Sequence, residues 1–268
     1  MESTNVIIAF ALTAFAGLAT GIGSILTLFT QRTNTKLLSV SLGFSAGVMI
    51  YVSMIEIFFK AKEALIMELG LSTGSWLTVT AFFGGMLLIA VIDKLIPSFG
   101  NPHQLHRVEE MEQIEGNNNS LMKLGLLTGV SIAVHNFPEG LATFAAAVKD
   151  PGLGLPVAFA VAIHNVPEGI AVAIPVYYAT GSRGKAFLYS FLSGLSEPLG
   201  ALVGYLILSP FFNDLVFGIL FALVAGIMVF ISFDELLPAA EEYGEHHIAI
   251  YGVISGMAVM AVSLLLFI

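Results

Sequence analysis

Long apolar runs divided by short polar breaks dominate this chain. A hydrocarbon core about 30 Å thick takes roughly 20 residues of helix to cross. Runs of that length cover Asn5–Phe29, Leu37–Phe59, Ser75–Ile96, Leu121–Val148, Leu155–Tyr178, Lys185–Leu208, Asp214–Leu237 and His247–Ile268. The pattern predicts an all-α integral membrane protein with eight transmembrane helices, forming a single transmembrane domain over residues 1–268. Breaks such as Lys149–Gly154 and Thr180–Gly184 have room only for turns, which makes consecutive spans antiparallel neighbours. The exception is a polar loop at about 97–120. Glycines within the runs, among them Gly17, Gly21, Gly23, Gly43 and Gly47, suit close helix contact in a bilayer. No positive charge precedes the first run, which opens Met1-Glu2-Ser3-Thr4, so a cleaved signal peptide is not expected.

Composition agrees with lipid as the main solvent and partner. The chain is 57% hydrophobic and 11% charged, with a mean hydropathy of +0.91, far more apolar than a soluble domain of this length needs. A formal net charge of -9 leaves no basic stripe, so nucleic acid is not a partner. With no cysteine, disulfides, thiolate metal sites and Cys nucleophiles are excluded, and a metal has only N and O ligands available. Counting basic residues in the connections gives orientation. Odd connections hold Arg32, Lys36, Lys94, Arg107, Lys123, Arg183 and Lys185, whereas even connections and termini hold Lys60, Lys62 and Lys149. The odd loops, with the loop at 97–120, are therefore expected in the cytoplasm and both termini outside.

Ionisable groups at bilayer depth are expensive and mark function. Glu139, Glu168 and Glu197 lie near the middles of three consecutive spans, with no Lys or Arg at comparable depth. Three such acids must be protonated, hydrated or neutralised by a cation. Two of them belong to a hexapeptide written twice, His135-Asn136-Phe137-Pro138-Glu139-Gly140 and His164-Asn165-Val166-Pro167-Glu168-Gly169, 29 residues apart. On a helix the His and Glu, four apart, share a face, and the Asn is three residues from the same Glu. Two such helices meeting at mid-depth would face imidazoles, amides and carboxylates toward one another, and each carboxylate has an oxygen for a His-lined and an Asn-lined position. Two adjacent metal sites follow. Pro138 and Pro167 each remove one backbone donor and are expected to open their helices near the midplane. Ser196-Glu197-Pro198 adds an acid to the Asn-lined position. Imidazole, amide and carboxylate together favour zinc, then iron(II), manganese and cobalt, over copper(I) or magnesium.

At these residues the chain resembles the ZIP family of divalent-metal transporters, and within it the ZupT-type bacterial branch, whose fourth and fifth spans both carry an HNxPEG motif. The resemblance implies a 3+2+3 arrangement, in which spans one to three and six to eight form inverted repeats around spans four and five. It implies a binuclear metal site with Glu139, His164 and Glu168 at one position and His135 close by, and Asn136, Glu139, Asn165, Glu168 and Glu197 at the other. Met49 resembles a second-span position near the first site, although packing is the favoured reading of a Met in an apolar helix. The resemblance further implies uptake toward the cytoplasm through the cell membrane, with zinc as first cargo and iron(II), manganese, cobalt and cadmium as further ones. The sequence leaves a monomer or a homodimer open.

Other polar residues carry less. His103 and His106 in the 97–120 loop are too few for a closed site. Asp234-Glu235, with Glu241, Glu242, Glu245, His246 and His247, sits where an exit would attract cations or where a helix end meets water. Glu56 and Asp93 lie toward span ends, where interfacial solvation or a hydrogen bond between helices explains them. The rival function is an intramembrane zinc-dependent hydrolase, but the His-Glu-x-x-His sign of a zinc protease is absent, so the chain is not expected to be an enzyme.

Overall fold

The computed structural model describes residues 3–27, 35–95, 118–208, 210–211, 213–243 and 246–266, and among them every element is helical. In chain order these are α1 (Ser3–Thr27), α2 (Thr35–Tyr51), α3 (Phe58–Leu69), α4 (Leu71–Leu95), α5 (Asn118–Lys149), α6 (Pro151–Thr180), α7 (Arg183–Gly194), α8 (Ser196–Leu208), α9 (Asp214–Ile231), α10 (Leu237–Tyr243) and α11 (His246–Leu266). A π-helical turn, Val52–Ile57, joins α2 to α3, and a second, Ser232–Leu236, joins α9 to α10. Lipid leaves a spanning segment no partner for its backbone but itself, which is why apolar runs of this length become helices.

Seven helices among the described residues are long and apolar enough to cross a membrane: Thr4–Ile25, Lys36–Leu69, Leu71–Leu95, Pro151–Thr180, Arg183–Ile207, Asp214–Glu242 and His246–Leu266. The eighth predicted run is helix α5, 32 residues long. It is less apolar because it carries Lys123 and the polar hexapeptide. Several helices outrun the apolar stretches. Lys36–Leu69 continues ten residues past Phe59 through Lys60, Lys62, Glu63 and Glu68, charges that suit a helix leaving the bilayer. Gly70, at a φ of 81°, supplies the left-handed residue that turns α3 directly into α4. His103 and His106 lie outside the described residues.

Packing sorts the helices into two blocks. In the first, α1 lies along α6, α5 along α6 and α8, and α7 against α1 and α6. In the second, α2 lies along α11 and α9 along α4 and α3. The contacts come in pairs with chain order reversed: α1 on α6 matches α8 on α5, and α2 on α11 matches α9 on α4. Glycine sets these contacts. A Cβ on Gly23 would sit 1.9 Å from the Val166 carbonyl oxygen and one on Gly169 1.9 Å from that of Thr20, locking α1 to α6; Gly140 and Gly200 do the same between α5 and α8. In the second block Gly47 and Gly256 join α2 to α11, and Gly85 and Gly226 join α4 to α9. Lipid supplies no hydrophobic drive between helices, so such backbone approach is what holds them. The blocks meet where α2 and α11 lie on α6 and α9 lies on α5. There the first block offers small side chains, Ala142, Ala145, Ala146, Val157, Ala160 and Val161, to an apolar core shared with the second.

Candidate metal centre

Both hexapeptides lie inside the first block, one on α5 and one on α6. These helices run unbroken through Pro138 and Pro167, contrary to the opening expected from the sequence. Proline deletes only one donor per helix. Directly beyond it Gly140 and Gly169 let α8 and α1 press onto the backbone, with a Cβ there only 2.1 Å from Glu197 O and 1.9 Å from Thr20 O, so the neighbours support each helix where it continues. The break falls instead at Leu195, between α7 and α8, which puts Glu197 in the first turn of α8.

Across the α5–α6 contact each carboxylate serves the other helix's motif. His164 Nε2 lies 2.9 Å from Glu139 Oε2, while its Nδ1 faces the Ala160 carbonyl oxygen at 3.2 Å. With Nδ1–H donated to Ala160, the ring turns Nε2, the nitrogen left free to accept or to ligate, toward Glu139. Glu168 Oε1 is 4.0 Å from the same nitrogen. With its NH2 group oriented to donate, Asn136 bonds Ile132 O at 3.1 Å and Glu168 Oε2 at 3.0 Å. Asn165 donates to the Ala16 carbonyl at 2.9 Å and to Glu197 Oε1, which ties α1, α6 and α8 together.

All six side chains are buried, Glu168 being the most exposed at 9%. No Lys or Arg is buried among the described residues. Asn165 Oδ1 and Glu197 Oε2 have no hydrogen-bond partner, and a buried acceptor left so costs about 1–3 kcal/mol. Three carboxylates, one imidazole and two amides form a cage short of positive charge, with one amide oxygen and one carboxylate oxygen unpartnered among the described residues. A divalent cation would balance that charge, and the N/O donor set fits zinc or its neighbours.

His135, predicted close to the first position, turns out to face across the block boundary. Its Nδ1 is 3.3 Å from Glu235 Oε1 in the second π-turn, and with Asp93 of α4 the three residues place one ligand atom each within 4.8 Å of one another. His135 and Glu139 thus share a face of α5 but serve different clusters. The sequence reading missed Asp93 and left Glu235 undecided. A signal was available: Gly47-Val48-Met49, Ser53 and Glu56 are matched 179 residues later by Gly226-Ile227-Met228, Ser232 and Glu235, and both copies end in a π-turn. Met49 is fully buried in the large apolar core. Glu241 and His246, paired at 2.7 Å, are exposed.

A model of the family described as ZIP zinc transporter matches residues 97–264, a segment that includes both hexapeptides, Glu197 and Glu235. The chain belongs to the ZIP zinc transporter family. Similarity to single members extends over the whole length. It is 63% identical to a protein of Nitratidesulfovibrio vulgaris, with 100% of this chain and 99% of the relative covered, and 65% identical to one of Oceanobacillus iheyensis, with 98% of each covered. A Streptococcus mutans protein is 62% identical, with 99% and 100% covered. All three carry the name zinc transporter ZupT. ZIP membership makes this a multi-pass membrane protein of a transporter class, not an enzyme, and disfavours the hydrolase.

Proposed function

We propose that this ZIP protein carries zinc into the cytoplasm across the cell membrane, through adjacent metal positions between α5 and α6. One observation carries the reading: three buried carboxylates and two orphaned acceptor oxygens converge in a cage with a single imidazole and no Lys or Arg. Glu139, His164 and Glu168 are the zinc position. Asn136, Glu139, Asn165, Glu168 and Glu197 are the second, richer in oxygen and suited to iron(II), manganese, cobalt or cadmium as further cargo. His135, Glu235 and Asp93 then receive the ion on its way out.

Residues 1–268 form one transport domain of eight spans, with α5 as the fourth and both termini outside, the 97–120 loop lying in the cytoplasm. The reversed pairing of contacts within each block supports the 3+2+3 inverted repeat. Alternating access would come from movement of the first block, which holds every residue of the central cage, against the mainly apolar face of the second, where Asp93 and Glu235 meet His135. The test is uptake by purified protein in liposomes with a zinc-sensing dye inside. External zinc should enter at least about tenfold faster than in empty liposomes, and cells expressing the protein should gain zinc. No flux, or a lower cellular zinc content, would overturn the reading.

A further inference from the structure

Few polar contacts are expected between two bodies that must move past each other, which makes those present informative. Two involve α5. At mid-helix His135 meets Glu235. Fourteen residues on, roughly 21 Å along the helix at 1.5 Å per residue, the last residue of α5, Lys149, pairs with Asp214, the first residue of α9. The same ammonium lies 4.6 Å from the ring centroid of Phe217, one turn further along α9, and Phe217 is buried against Phe221, 4.1 Å between centroids. The contact is thus an ion pair and a cation–π contact on one Lys, joining the first block to the second at the end of the bundle that carries the α5–α6 connection.

Its mounting is firm and its bond weak. The side chain of Asp150 accepts the Gly152 N–H at 2.8 Å to start α6, and that of Asn213 accepts the Val216 N–H at 2.9 Å to start α9. Both partners therefore sit on fixed helix ends. Lys149 and Asp214 are 33% and 46% exposed, and ion pairs that wet are worth little. Each charge also sits at the helix terminus that favours it, a cation at a C-terminus and an anion at an N-terminus. When the pair parts, each keeps its own helix and water. We propose that Lys149–Asp214 is a latch that closes this end of the transport path and opens once in each cycle. The proposal rests on the transport reading above.

The absence of cysteine gives a direct test. A Lys149→Cys/Asp214→Cys protein in zinc-loaded liposome assays is bridged with a short bis-thiosulfonate reagent and then released with reductant. The latch requires flux to fall at least tenfold on bridging and to return on reduction, while single Lys149→Gln or Asp214→Asn changes shift flux only twofold to fivefold and the swapped pair Lys149→Asp/Asp214→Lys restores it. Bridged protein that moves zinc at the unbridged rate overturns the latch. Spin labels at 149 and 214 give a second reading that needs no flux: two distance populations support it, and a single distance with and without zinc overturns it. Unsubstituted protein that moves no zinc would sink the transport reading alone, because the label distances remain measurable.

Discussion

The two blocks are built by the same device and filled with opposite chemistry. Each is sealed by glycines set against carbonyl oxygens of the next helix, Gly23 and Gly169 between α1 and α6, Gly47 and Gly256 between α2 and α11. Yet Glu139, Glu168, Glu197, His164, Asn136 and Asn165 all belong to the first block, whereas the second buries mainly apolar side chains such as Leu42, Met49, Phe82, Phe221 and Met228. Ligands on one body keep their mutual geometry while that body moves. The other body is largely apolar where they meet, its acids at the boundary being Asp93 and Glu235 beside His135. On the proposed mechanism the difference would let a charged cargo be held firmly and still carried, with the strong contacts within a block and the weak ones between blocks.

The comparison is broken most decisively at the carboxylates. Glu139 and Glu168 both face His164, so Glu139→Ala or Glu168→Ala should lower uptake of zinc and of every other metal by at least about a hundredfold, an interaction lost from the site itself. Membrane abundance must be matched first, since a vanished buried partner also destabilises the bundle. Near-normal zinc flux in either variant would mean that the ion does not pass through the first block.

Next in size is the common architecture. Gly169→Ala and Gly47→Ala each force a Cβ to within about 2 Å of a carbonyl oxygen, overpacking that costs about 1–3 kcal/mol or more. Both proteins should melt lower and accumulate less, with equal severity in the two blocks. Gly84→Ala is the control, because its Cβ would meet nothing nearer than a Leu223 methyl at 3.8 Å. Thermal unfolding in detergent reads the three. If only the first-block glycine mattered, the two bodies would not be sealed alike.

The smallest effect sharpens the division. Met49→Leu keeps volume in a packed core, and if the second block is a wall it should change uptake less than about threefold. A tenfold loss confined to zinc, measured by competition against manganese, would make Met49 a ligand and extend the centre across the boundary.

Much of this was legible in one dimension. Apolar runs long enough for a bilayer announced the helices, because lipid offers the backbone no other partner. The duplicated hexapeptide pointed to these residues, because ionised groups at that depth have no structural use that lipid tolerates cheaply, and five of its six polar members and Glu197 are linked by hydrogen bonds within the first block. Spacing alone left Glu139 on the face of His135, four residues away, and only the family resemblance placed it with His164; packing sets it against His164, 25 residues away. Tertiary structure alone turned His135 toward Asp93 and Glu235 and kept α5 and α6 continuous through their prolines. Local spacing fixes the face a side chain occupies, but what lies opposite that face depends on contacts such as Gly23 on Val166 and Gly47 on Val253, made between segments far apart in the chain.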